Sequence, residues 1–197
     1  MKKWKVGLAG LSRGRGFVRV FDAHPDVEVT ALCDINQGKL ADVGAAFKLP
    51  DNRLHTDYAS FINAPLDIVV IATPIAFHAE QTIAALESGK HVLCEKPLAN
   101  SVREAEEMAA GAQQAWDEHG TVAMVGFTYR RLPAAQLAKK LIADGRLGEI
   151  RHVRAQYLQD WISDPKAPLS WRLDKEKAGS GALGDIGAHI VDLTQYI

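Results

Sequence analysis

From Lys5 to Val125 the chain alternates short apolar runs with longer helical patterns, and this rhythm constrains the fold more than any other feature. Strands are expected at Lys5 to Ala9, Val27 to Cys33, a short one near Leu54, Asp67 to Ala72, His91 to Cys94 and Thr121 to Val125. Between them the periodicity is helical, near Gly16 to Ala23, Gln37 to Phe47, Tyr58 to Ile62, Phe77 to Ser88 and Val102 to Trp116. Runs that are apolar throughout, rather than at every second residue, belong to strands buried on both faces, as in a parallel sheet covered by helices. Residues 1–125 are therefore expected to form an α/β domain, a doubly wound parallel sheet of the Rossmann type. Ser101 and Glu104 have capping-box spacing at the start of the last helix, and Gly89 stands where its predecessor should stop.

After Val125 the rhythm changes. Leu132 to Ala143 reads as an amphipathic helix, Glu149 to Gln159 as a long strand, and Gly181 onward as a helix still running at Ile197. Residues 126–197 thus read as a second segment of mixed helix and strand. A strand with an apolar face and no partner strands is a liability, so the expectation is a truncated part of a longer protein.

Composition narrows the function classes. A formal net charge of -1 with no long basic run argues against nucleic acid or an anionic membrane as partner. No apolar stretch approaches bilayer length, and Arg13 and Arg15 interrupt the N-terminal one, so a cytoplasmic protein handling small molecules is expected. Cys33 and Cys94 end buried strands without zinc spacing; they are expected to be reduced and structural, with no metal site.

Chemistry concentrates where strands end, the edge at which open parallel sheets bind ligands. Lys96 follows the strand His91 to Cys94, and Pro97 disfavours helical dihedrals at that lysine, leaving the ammonium on a turn facing a crevice or, more blandly, on a surface loop. Gly10, Ser12, Arg13 and Gly14 form a degenerate dinucleotide turn, in which Gly10 is the first fingerprint glycine while Ser12 and Arg15 occupy the other two positions. Asp34 ends the second strand near the spacing at which an acid meets the adenosine ribose, favouring NAD over NADP. Alternatively Asp34 caps the next helix, and Arg13 or Arg15 reaches a 2′-phosphate. Thr73, Pro74 and His78 follow the fourth strand and are suited to lining the cofactor's far half, although His78 reads equally as a partly buried surface histidine. Asp185 and His189 are four apart in a glycine-rich helical segment, with Asp192 close by. A histidine beside a carboxylate can hold a proton near neutral pH; the plain alternative is a surface pair.

Taken together, Asp67, Thr73, Pro74, His78, Ala85, Gly89, His91, Val92, Glu95, Lys96 and Pro97, with Gly184, Asp185, Ile186, Gly187, His189 and Asp192, resemble the Gfo/Idh/MocA oxidoreductases. That resemblance implies a nicotinamide-dependent dehydrogenase (NAD, or NADP) acting on a sugar, inositol or related polyol hydroxyl. It implies Lys96 as the catalytic lysine bonded to the reacting oxygen, Asp185 as the substrate-orienting carboxylate and His189 as the proton-transferring group. Glu95 is implied beside the cofactor, Tyr129 and Arg130 near substrate and cofactor, and Trp171 and Arg172 approaching the cofactor. Residues 126–197 are implied to be the beginning of an α+β substrate domain, and homo-oligomers of the longer protein are implied as well. The competing expectations are a catalytically silent dinucleotide-binding module and, among enzymes, an NADPH-dependent sugar reductase.

Overall fold

A computed structural model describes residues 3–160, 162–168, 174 and 180–197. The chain divides into two compact units, Met1–Gly126 and Phe127–Ile197.

In the first unit six strands, β1 Trp4–Ala9, β2 Val27–Cys33, β3 Leu54–His55, β4 Ile68–Ile71, β5 His91–Cys94 and β6 Ala123–Val125, form one sheet in the order β3-β2-β1-β4-β5-β6. All neighbouring pairs are parallel. Helices α1 Leu11–Asp22, α2 Gln37–Ala46, α3 Tyr58–Ile62, α4 His78–Glu87 and α5 Val102–His119 make the crossovers. Buried strand residues alternate between two cores. Val6, Leu8, Val29, Leu32 and Val70 meet Leu11 and Val18 of α1 and Leu40 and Val43 of α2. Ala31, Val69, Ile71 and Val92 meet Phe61 of α3, Leu86 of α4 and Met108 of α5. Each fully buried branched side chain contributes about 1.5–3 kcal/mol, so the central strands hold the sheet and the polar turns ride on its edges.

α1 begins well before the expected start near Gly16. Gly10, at φ 86°, swings the chain out of β1 and is itself the N-cap, so Gly14 and Gly16 lie inside the helix. Glycine's usual weakness in helix interiors had pointed to a later start. At α5 the capping box is present: the Glu104 amide donates to Ser101 Oγ and the Ser101 amide to Glu104 Oε2.

The second unit contains a 3₁₀ turn Thr128–Arg131, α6 Pro133–Ala143, a π-helical turn Leu183–Gly187 and α7 Ala188–Tyr196. Residues 149–159 are not a strand, contrary to the expectation. Their β-branched and aromatic residues favour extension, but a strand exists only through a ladder, and among the described residues no strand lies alongside; Ile150, Val153 and Leu158 are exposed.

Candidate active site

The strand order reverses between β1 and β4, so the crevice at the carboxyl edge opens between the turns that follow those strands. Gly10 is where the two turns meet. A Cβ there would lie 2.5 Å from the carbonyl carbon and oxygen of Ala72 and 2.6 Å from the Thr73 nitrogen, so only glycine fits. α1 then starts at once, with no acidic residue in its own first turn; Asp34 takes the amide of Leu11, and those of Ser12 and Arg13 come next. Such a terminus suits a diphosphate. Gly14 is buried, yet a Cβ on it would make only an ordinary 3.7 Å contact with Ala72 Cβ.

Asp34, just past β2, accepts the Leu11 amide on Oδ2 at 2.7 Å and the Asn36 amide on Oδ1 at 2.9 Å. The helix-cap alternative for Asp34 is thereby corrected, because Asn36 caps α2 by accepting the Lys39 amide at 2.9 Å. A carboxylate has about four acceptor sites, so Asp34 can fix the glycine turn and still accept a ribose hydroxyl. The cation beside this end of the crevice is Lys39, whose Nζ lies 2.5 Å from Ser12 Oγ. Arg15 instead lines a shallow cavity with Arg19, Asp22, Ala46 and Phe47. Sequence reasoning missed Lys39, since only the fold brings the first turn of α2 to the first turn of α1.

Thr73 turns its hydroxyl inward, donating to Gln81 Oε1 at 2.7 Å, and exposed Pro74 caps the 3₁₀ turn Ile75–Phe77. His78 is not placed to line a cofactor. Its ring is buried, with Nδ1 2.9 Å from the Pro97 carbonyl oxygen and Nε2 2.9 Å from that of Thr73. It joins the turn after β4 to the turn after β5, behind the edge rather than on it.

Glu95, buried at the end of β5, donates its amide to Ile71 O at 2.8 Å and accepts the Lys96 amide on Oε2 at 3.1 Å. Arg13, from the glycine turn, places its Nε 3.7 Å from Glu95 Oε1. Gly126 closes over this turn: its amide donates to Cys94 O at 2.7 Å, and a Cβ on it would sit 3.4 Å from Glu95 Cα. Half-buried Lys96 therefore starts a turn fixed from three sides, by Ile71, Gly126 and His78, with a cis peptide bond to Pro97. Burial pushes the Cys33 and Cys94 thiols up to about 12, and neither is in a disulfide.

In the second unit Asp185 lies in the π-helical turn and His189 in α7, so the four-residue spacing does not run through regular α-helix. π turns are frequent at functional sites. His189 is buried and stacked on Tyr129, ring centroids 4.2 Å apart and 17° from parallel. Arg130 faces Asp192: its Nε donates to both carboxylate oxygens at 3.0 Å each, and Nη2 also contacts Oδ1. This bond raises the Arg130 pKa above its ordinary value. Trp171 and Arg172 lie outside the described residues. Among the described residues no group of three or more His, Cys, Asp or Glu could hold a metal ion, and no helix is long and apolar enough to cross a membrane.

The parallel sheet, its reversal beside a glycine turn and the acid after β2 define a Rossmann-type α/β unit of the NAD-binding oxidoreductases. The chain belongs to the Gfo/Idh/MocA family: residues 4–127 match the profile described as oxidoreductase family, NAD-binding Rossmann fold, and residues 135–197 match the GFO/IDH/MocA C-terminal domain. It is 50% identical over 143 residues to levoglucosan dehydrogenase of Pseudarthrobacter phenanthrenivorans, a match covering 72% of this chain and 36% of that protein. It is 30% identical over 195 residues to glucose-6-phosphate 3-dehydrogenase of Bacillus subtilis, covering 98% and 53%. Among solved structures, an oxidoreductase domain protein from Kribbella flavida superposes with a TM-score of 0.87 at 51% identity, covering all of this chain and 54% of that one. A levoglucosan dehydrogenase in complex with NADH and levoglucosan superposes with a TM-score of 0.83 at 39% identity, covering 99% and 54%. The chain thus spans about half or less of the length of these relatives.

Proposed function

We propose that this chain carries the cofactor-binding and proton-handling parts of a nicotinamide-dependent dehydrogenase that oxidises a hydroxyl of a sugar, inositol or related polyol, with NAD favoured over NADP. The observation that carries the reading is the Lys96 turn, braced by Glu95, Gly126 and His78 on the same sheet edge as the glycine turn and Asp34. Gly10, Ser12 and the α1 amides that follow Leu11 hold the diphosphate, Asp34 accepts from the ribose, and Thr73 and Pro74 border the crevice. Bound NAD supplies the hydride acceptor. The Lys96 ammonium donates a hydrogen bond to the substrate oxygen and stabilises negative charge as it develops there. His189 takes the hydroxyl proton, and Asp185 orients the substrate. The protein is proposed to act as a homo-oligomer.

The 50%-identical relative makes levoglucosan the first substrate to try, followed by pyranoses and inositols. With NAD, Lys96→Ala should lower turnover about 10²–10⁴-fold, the usual worth of a positioned proton-handling group, while calorimetric NAD affinity stays within a few-fold. Undiminished turnover in that variant refutes the assignment. Tight NAD binding with no turnover of any polyol would favour a silent binding module.

A further inference from the structure

The second unit holds a polar and aromatic cluster whose centre is Arg130. Two of its nitrogens face buried Asp192, and its guanidinium carbon lies 5.6 Å from the Phe127 ring centroid and 5.3 Å from that of Tyr196. Gln136 Nε2 donates to the Arg130 carbonyl and, at 2.8 Å, to the Tyr196 hydroxyl. Lys139 Nζ donates to the Tyr196 carbonyl at 2.5 Å and sits 3.7 Å from its ring centroid. The 3₁₀ turn Thr128–Arg131 is thereby fastened to α7 at its middle, through Asp192, and at its C-terminal end, through Tyr196.

Tyr129, the neighbour of Arg130, is the one ring of that turn laid flat on His189. Its hydroxyl is 2.5 Å from that of Tyr157, whose own ring is 6.3 Å from His189 and inclined at 52°. Asp192 is three residues beyond His189, so the carboxylate held by Arg130 fixes the helical turn that carries the imidazole. An imidazole on a helix has several rotamers, yet proton transfer requires one direction, held to within about 10–20°. A parallel ring at 4.2 Å removes most of that freedom.

We infer that Tyr129 and Arg130 are positioning residues that act through His189: Arg130 locks α7 through Asp192, and Tyr129 sets the plane of the imidazole. This role stands beside the direct substrate or cofactor contact that the resemblance implied for the pair. The inference rests on the proposal that His189 takes the hydroxyl proton.

Proton NMR of the His189 ring in the 197-residue chain, assigned with His189→Gln, provides the test. A ring stacked on tyrosine is shifted upfield by that tyrosine. Tyr129→Leu should abolish the shift and Tyr129→Phe should keep it. Arg130→Leu, with Tyr129 intact, should also lose it, and Arg130→Lys should restore part. Calorimetric NAD affinity should stay unchanged in all four, which also verifies that the first unit is folded. If Arg130→Leu unfolds α7, Arg130→Lys carries the comparison. A His189 signal unmoved by Tyr129→Leu overturns the inference, as does an Arg130→Leu variant that keeps the shift and loses about tenfold or more in NAD affinity. Turnover of His189→Gln is read separately: undiminished activity sinks the proton-transfer role while leaving the stacking result intact.

Discussion

Substituting alanine at each of three glycines near the start of α1 gives outcomes that differ in sign. Gly10 has φ 86°, which costs an L-residue roughly 1–2 kcal/mol. Its new Cβ would also lie 2.5–2.6 Å from Ala72 and Thr73 backbone atoms. Those atoms cannot retreat easily, because the Ala72 amide is bonded to Ala9 O at 2.8 Å as part of the β1–β4 pairing. Overpacking of this kind adds about 1–3 kcal/mol, so Gly10→Ala should lose about 2–5 kcal/mol, a large share of ordinary domain stability. Gly14→Ala meets only Ala72 Cβ at 3.7 Å, and Gly16→Ala meets nothing within 4 Å. Both should instead gain up to about 1 kcal/mol from helix propensity. Urea unfolding followed by circular dichroism, with slopes compared so that midpoints convert to free energies, measures all three. The reasoning fails if Gly10→Ala lies within about 1 kcal/mol of the parent, or if Gly14→Ala costs more than that.

Replacing Asp34 with serine should weaken NAD binding about 10–100-fold, the worth of a hydrogen bond to a charged group. NADP binding should improve, because Lys39 remains beside Ser12; calorimetry with both cofactors reads it, and an unchanged preference refutes the ribose role. His78→Ala removes the ring between the carbonyl oxygens of Thr73 and Pro97 and leaves at least one without its donor, and at about 1–3 kcal/mol for a buried orphan the urea midpoint should fall markedly. The buried thiols predict an alkaline slope. Below about pH 9 Cys33 and Cys94 are protonated whether the chain is folded or unfolded. Between there and about 12 the unfolded chain releases protons that the folded chain retains, so stability should fall as pH rises. Urea midpoints on either side of pH 9 test this, and Cys33→Ala with Cys94→Ala should flatten the fall.

The sheet was legible because its strands are apolar on both faces, a pattern set by local sequence that the fold merely gathers. Gly10, Asp34 and Lys96 were legible for a related reason, since each closely follows a strand, and the ends of parallel strands share one edge. What could not be read were pairings between distant segments. Arg130 and Asp192 are 62 residues apart, Lys39 and Ser12 are 27 apart, and no periodicity links either pair. His78 reads from sequence equally as a cofactor-lining or a partly buried histidine, and only the fold sets its nitrogens against two backbone carbonyl oxygens. The segment 149–159 misled because propensity names a conformation, but only a neighbouring strand can supply the hydrogen bonds.

The imidazole of His78 also links two motions. Thr73 and Pro97 belong to different loops, and the carbonyl oxygens of both lie 2.9 Å from nitrogens of the same buried ring, which donates to one and packs against the other when neutral. Local opening in proteins occurs in cooperative blocks, and this ring merges two loops into one such block. Amide hydrogens around residues 73–78 and 95–97 should therefore exchange with solvent on a common timescale, so that the crevice floor and the lysine turn loosen together or not at all.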